Sequence, residues 1–196
     1  MPKCLVFSTV TDYKKRAVAF KHWVNVERDY KTAIAYTGFD YDREEELDGI
    51  ANYFFNTSEK SNVENFLTFY NYFLDDKKHN YDYYFLIESN LLFPNYFLRE
   101  FFKEVISKKI DVSSPVYEKT GGKTKKYKKL RQQPSGRSFD VSLCSNEAVC
   151  LSKRAAKKLN NVANQKQVQT QKIKFDTKTF DKLTFSAINF TPIKYV

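Results

Sequence analysis

Polar side chains able to do chemistry gather in this sequence where short apolar runs end. Ser8, Thr9 and Thr11 close the run CLVFSTV at 4–10; Thr37, Gly38 and Asp40 follow TAIAYT at 32–37; Glu88, Ser89 and Asn90 follow YYFLI at 83–87. Hydroxyls, carboxamides and carboxylates are the groups that hydrogen-bond a polar ligand or carry its proton. In the second half, Asp140 and Glu147 are the sole acids between Lys119 and Lys174, so a proton acceptor there is one of these two. Lys60, Asn62 and Asn65 surround Ser61-Asn62-Val63-Glu64, which has the spacing of a helix capping box; they read as a solvated surface or as a helix start that faces a ligand. His22 and His79 have no partner at ligand spacing and receive no role.

The elements that must hold these groups alternate. Residues 4–10 read as a strand; Asp12 then caps a helix with Ala17, Phe20 and Val24 on one face and Trp23 beside them. A second strand over 32–37 stops at Gly38, and the acidic stretch 40–48 follows, of which Asp40-Tyr41-Asp42 reads as loop; Tyr53, Phe54 and Phe55 suggest a short strand. Phe66, Phe69, Tyr70, Phe73 and Leu74 form one helical face. The unbroken run 83–87 has the character of a strand buried on both sides of a parallel sheet. Pro94 suits a first helical turn, and Phe97, Leu98, Phe101, Phe102 and Val105 make the apolar face of a helix to about residue 108. Strands are expected over 111–117, 139–143 and 148–151, then a helix capped by Ser152 that holds Ala155, Ala156 and Leu159. Residues 160–174, rich in Gln, Asn and Lys, are expected to cross the surface before a last strand pair near 182–190. This order predicts an α/β fold: a single-domain three-layer α/β sandwich with a mostly parallel central sheet, whose ligand site lies at the carboxyl ends of the strands. The three polar sets then share one rim.

Composition narrows the function classes. A chain of 196 residues, 42% hydrophobic and 17% aromatic, closes one core, and no apolar run approaches the roughly 20 residues of a membrane span. Cys4, Cys144 and Cys150, without a C-x-x-C pair, read as free thiols in a reducing, cytoplasmic compartment. The richness in Phe, Tyr, Lys and Asn hints at an A+T-rich genome, viral or low-GC bacterial, and for a viral chain the compartment is the host cytoplasm. The net charge of +10 is uneven: residues 1–100 hold 12 Lys/Arg against 16 Asp/Glu, and 101–196 hold 21 against 7. Eight of the basic residues lie between Lys119 and Arg137 without an acid, a mobile basic loop spanning about 118–138. It reads as a solvated loop, a lid over an anionic ligand, or a nucleic-acid contact; its single aromatic, Tyr127, argues against the last.

Three stretches carry a resemblance to glycosyltransferases of the GT-A fold. Residues 81–90 (YDYYFLIESN) resemble the family's central strand, YDYxFxxDxD; Asp111-Val112-Ser113-Ser114-Pro115 resembles the strand after the next helix; and residues 144–156 (CSNEAVCLSKRAA) resemble the GGAGxxLSxxAA segment. The acidic motif is Glu-Ser-Asn here, and the small residues of the third stretch are Ser145, Asn146 and Glu147. The resemblance implies transfer of a sugar from a nucleotide-diphosphate donor to a hydroxyl of a glycan acceptor, with Mn²⁺ or Mg²⁺ bound through Glu88 and Asn90. It implies nucleotide contacts from Ser8, Thr9, Thr11, Asp40 and Lys60, and a catalytic base at Asp140 or Glu147 in an inverting enzyme. Glu88 and Asn90 also read simply as a polar pair closing a buried strand. A different class stays open: a non-catalytic basic protein, a degenerate relative of such enzymes, holding a polyanion with residues 119–137.

Overall fold

The computed structural model describes residues 2–12, 28–59, 61–73, 80–92, 97–116, 138–142, 144–166, 173–189 and 194–195. The helix expected after Asp12, Lys60, Pro94 and the basic segment 118–137 lie outside the described residues. The strands are β1 (Cys4–Val10), β2 (Lys31–Tyr36), β3 (Tyr53–Asn56), β4 (Tyr83–Ile87), β5 (Leu91–Leu92), β6 (Val112–Val116), β7 (Ser138–Asp140), β8 (Ala148–Ser152), β9 (Phe185–Asn189) and β10 (Lys194–Tyr195). The helices are α1 (Tyr41–Ile50), α2 (Asn62–Phe73), α3 (Phe97–Ser107) and α4 (Lys153–Lys166). Eight strands form one sheet in the order β3-β2-β1-β4-β8-β6-β9-β7, while β5 and β10 pair separately. β1 runs parallel to both β2 and β4, β2 to β3, and β6 to β9; β8 and β7 run against their neighbours. The sheet is therefore mostly parallel.

Strand alternation divides the core between the two faces. Val6, Ile34, Phe85 and Ile87 join α1 through Leu47 and α3 through Phe97, Leu98, Phe101 and Phe102. Leu5, Phe7, Ala33, Ala35 and Leu86 join α2 through Phe66 and Phe69, and α4 through Ala155, Ala156 and Leu159. The sheet lies between two helical layers, as the alternating pattern predicts. The Phe85 and Phe101 rings stack with centroids 4.7 Å apart, fixing α3 against the centre of the sheet.

Three expectations are corrected. Asp40-Tyr41-Asp42 is not loop: Asp40 accepts from the Arg43 amide and caps α1, which Tyr41 and Asp42 begin and of which Leu47 is the buried residue. One buried position leaves no apolar period to read. Residues 160–166 extend α4, with 160–164 exposed or half-buried, so this part of the surface course is helical. β9 is not half of a terminal pair but is inserted between β6 and β7, parallel to β6. Cys4, Cys144 and Cys150 are free and buried.

Candidate functional site

The strand order reverses beside β1: β2 and β3 lie on one side of it, β4 and the second half of the chain on the other. In open α/β sheets ligands bind in the crevice outside the carboxyl ends of the strands at such a reversal. Here that rule points to the edge between the chain leaving β1 (Thr11, Asp12) and the chain leaving β4 (Glu88, Ser89, Asn90).

Two of the expected contact residues are engaged in building it. Ser8, fully buried, donates from Oγ to the Ile87 carbonyl at 2.8 Å and joins the ends of β1 and β4. Thr9 donates its amide (2.9 Å) and Oγ1 (3.0 Å) to Asn62 Oδ1. Asn65 donates to Thr9 Oγ1 at 3.0 Å and to the Glu59 carbonyl at 2.9 Å, and accepts from Thr57 Oγ1 at 2.9 Å. These bonds hold the amino end of α2, where Ser61 Oγ accepts from the Glu64 amide as the capping spacing predicts, against the end of β1. Around this frame Thr11 Oγ1, Asn62 Nδ2 and Asn90 Oδ1 are buried polar atoms without a hydrogen-bond partner among the described residues. A buried polar group left unpaired costs about 1–3 kcal/mol, so each of these atoms gains from any ligand group that pairs with it.

Asp12, read from the sequence only as a helix cap, is part of this rim. Its Oδ1 accepts from the Tyr36 hydroxyl and its Oδ2 from the Phe39 amide at 2.8 Å. The Tyr36 hydroxyl also accepts from the Asp40 amide at 3.1 Å. The Tyr36 bond, then the Phe39 amide, hold the Asp12 carboxyl below the usual carboxylate range. Burial, reinforced by that carboxylate, pushes the Tyr36 phenol up to about 12. Gly38 makes this approach possible, because a Cβ there would collide with Asp12 Oδ1 and Tyr36 Oη. Phe39 is consequently presented outward, 92% exposed. Asp12 stands two residues past β1, where the strand-end rule that selected Thr11 could also have found it.

Of the remaining residues, Glu88 and Glu147 meet: the Glu88 amide donates to the Glu147 carbonyl at 2.8 Å, and both side chains are half-buried. Asp40 lies one strand further out, its carboxylate on the α1 amide. Asp140 is not brought to this rim. Its pairing with Ser186 sets it level with Phe85 in the middle of β4, on an edge strand four strands away, roughly 19 Å at ~4.8 Å per strand. Lys60 and residues 119–137 lie outside the described residues. Among the described residues no three His, Cys, Asp or Glu side chains cluster as a metal site. Asn90 Oδ1 is an unpartnered oxygen at this edge and Glu88 is the neighbouring carboxylate; oxygen ligands of this kind suit Mg²⁺ or Mn²⁺ when a diphosphate supplies further oxygens.

No family model and no curated protein sequence match the chain. Solved structures do. Staphylococcus aureus TarS superposes with a TM-score of 0.63 at 10% identity, covering 97% of this chain and 36% of that one. Its 1–349 segment in complex with UDP-GlcNAc gives 0.61 at 10% identity, covering 100% and 58%. The fold is that of the nucleotide-sugar transferases. A CMP:2-keto-3-deoxy-manno-octonic acid synthetase complexed with CTP has the same GT-A-like architecture, with a TM-score of 0.59 at 6% identity over 99% of this chain and 92% of that one. The chain thus spans less than two thirds of the TarS structures it matches. Among the described residues of this GT-A-like domain, no helix is long and apolar enough to cross a membrane.

Proposed function

We propose that this GT-A-like domain is a glycosyltransferase that passes a sugar from a nucleotide-diphosphate donor to an acceptor hydroxyl. The observation that carries the reading is the set of three unpartnered buried polar atoms, on Thr11, Asn62 and Asn90, at the sheet's reversal point. A nucleoside offers hydrogen-bonding groups on its base and ribose that suit the Asn62 amide and the Thr11 hydroxyl. Thr9 acts through Asn62, and Asp40 through the Tyr36–Asp12 link that shapes the β1–β2 end of the crevice.

On the β4 side the diphosphate lies toward Glu88 and Asn90. A divalent cation held by these two residues would neutralise the charge that develops on the departing diphosphate. In this reading Glu147, whose backbone pairs with that of Glu88 at the same edge, accepts the proton of the attacking hydroxyl. The acceptor oxygen forms the new bond to the anomeric carbon while the bond to the diphosphate breaks. Asp140 stands too far across the sheet for this role.

A thermal-shift panel of UDP-, GDP- and CDP-sugars and CMP-sugars, with and without Mn²⁺, tests the reading. A donor that binds the native state at a hundredfold excess over its dissociation constant adds about 2.7 kcal/mol and a clear rise in Tm. The absence of a shift with every donor would overturn the proposal. For a donor that binds, Glu88→Ala is expected to abolish the Mn²⁺ dependence of the shift; a dependence that survives would place the cation elsewhere.

A further inference from the structure

At the amino end of β1, away from the strand-end edge, a cavity of about 680 Å³ opens between β1, the chain entering β2 and α3. Its size falls within the ~300–1,000 Å³ of small-molecule sites. The floor is apolar: Cys4 and Phe102 are buried, and Ile106 is half-buried beside them. Burial, with Asp29 and Asp82 nearby, pushes the Cys4 thiol up to about 12, so at neutral pH it is an uncharged part of that floor. The mouth is cationic. Arg99, Lys103 and Ile106 occupy i, i+4 and i+7 of one α3 stripe, and Arg28 faces them from the chain entering β2. Against these three cations the lining holds one acid among the described residues, Asp29. Arg99 makes no ion pair among the described residues, whereas Lys103 shares Glu100 at 2.7 Å. Arg28, half-buried, donates to the Ile50 carbonyl at 3.1 Å, and burial lowers its pKa. A partly desolvated cation interacts more strongly with an anion than one in bulk water does.

We propose that this cavity binds a small amphipathic anion: one molecule with an apolar body seated on Cys4, Phe102 and Ile106 and a single anionic head between Arg28, Arg99 and Lys103. The apolar floor alone would take any greasy molecule, and the cations alone would take inorganic phosphate; their combination selects a ligand that has both parts. A cavity of small-molecule size suits a free monomer better than a bilayer. Cys4 and Val10 stand at opposite ends of the seven-residue β1, roughly 20 Å apart at ~3.3 Å per residue. The site is therefore separate from the crevice and does not depend on the proposed transfer reaction.

Decanoate, below its micelle concentration, is the probe, titrated into the ¹⁵N-labelled full chain at pH 7. Saturable amide shifts are expected at Cys4, Arg99, Lys103 and Ile106, unchanged by UDP. Decanol should bind at least tenfold more weakly, and Arg99→Glu/Lys103→Glu should lose at least tenfold in decanoate affinity. Both substitutions are on exposed side chains, and Arg99→Gln/Lys103→Gln provides the same comparison without charge reversal. Equal affinity for decanol and decanoate, or undiminished affinity in both double variants, would overturn the proposal. So would an absence of shifts at the cavity, or sedimentation with phosphatidylglycerol vesicles by a protein that ignores monomeric decanoate.

Discussion

Asn62 shows how one side chain serves both architecture and recognition. Its oxygen accepts two hydrogen bonds from Thr9 while its nitrogen, buried, has no partner among the described residues. Asn62→Ala leaves the Thr9 amide and hydroxyl without an acceptor, and a loss of about 1–3 kcal/mol is expected in urea unfolding; an unchanged midpoint would show that the frame does not depend on these bonds. Tyr36 and Asp12 make a pH-dependent pair. The folded pKa of Asp12 is depressed, so its contribution to stability is present above the usual carboxylate value and is lost as pH falls through the lower folded value. The Tyr36 phenol is raised, so its contribution is full below pH ~10 and is lost as pH climbs toward about 12. Tyr36→Phe is expected to flatten both limbs of a plot of stability against pH, and limbs as steep as the wild type's would refute the pairing.

At the scale of elements, α3 combines a strong start-to-end pattern with an unfavourable residue at its close. The Lys109 amide donates to Ile106 at 3.1 Å and the Ile110 amide to Val105 at 3.0 Å, the two bonds of a Schellman turn. Lys109 takes the left-handed φ of 51° that this turn requires. Glycine adopts that conformation without the penalty a side chain incurs, roughly 1 kcal/mol. Lys109→Gly is expected to raise stability by up to ~1 kcal/mol in chemical denaturation, despite removing a cation from the helix terminus; a loss would mean that the charge outweighs the turn. α2 and α3 are legible from apolar period because each buries a continuous face. α1 is hidden because it rests on Leu47 and an Asp40 cap. The same cap signal was present in the sequence, but a cap is recognised only in front of an apolar period.

Across the whole molecule, Asp111 clasps segments far apart in the chain. Buried at the start of β6, it accepts from Ser152 Oγ at 2.8 Å, Arg154 Nε at 3.1 Å, and the Thr184 amide and hydroxyl at 3.1 Å each. The end of β8, the first turn of α4 and the entry to β9 are thereby joined. Burial raises the Asp111 pKa, but the bonds from Arg154, Thr184 and Ser152 outweigh it and leave the carboxyl below its usual value. Its stabilisation is accordingly present above about pH 4 and lost as pH falls below it. Asp111→Asn keeps the shape and removes the charge; a loss of about 1–3 kcal/mol at pH 7, shrinking toward pH 3, is expected from thermal unfolding across pH. A pH-independent loss would assign the effect to packing instead.

The sequence by itself determined the α/β class, the central strand at Tyr83–Ile87, the capped helix α2 and the rim of strand-end polar residues. Those depend on local signals: period, caps and the hydrophobic run of a strand buried on both faces. Which rim residues remain available was decided only in three dimensions. Ser8 and Thr9 face inward onto Ile87 and Asn62, whereas Thr11 and Asn90 keep unpartnered atoms. Asp140 and Glu147 look equivalent in the sequence, yet strand register carries Glu147 to Glu88 and Asp140 to the far edge. Register and strand order arise from contacts between residues distant in the chain, and no local pattern encodes them.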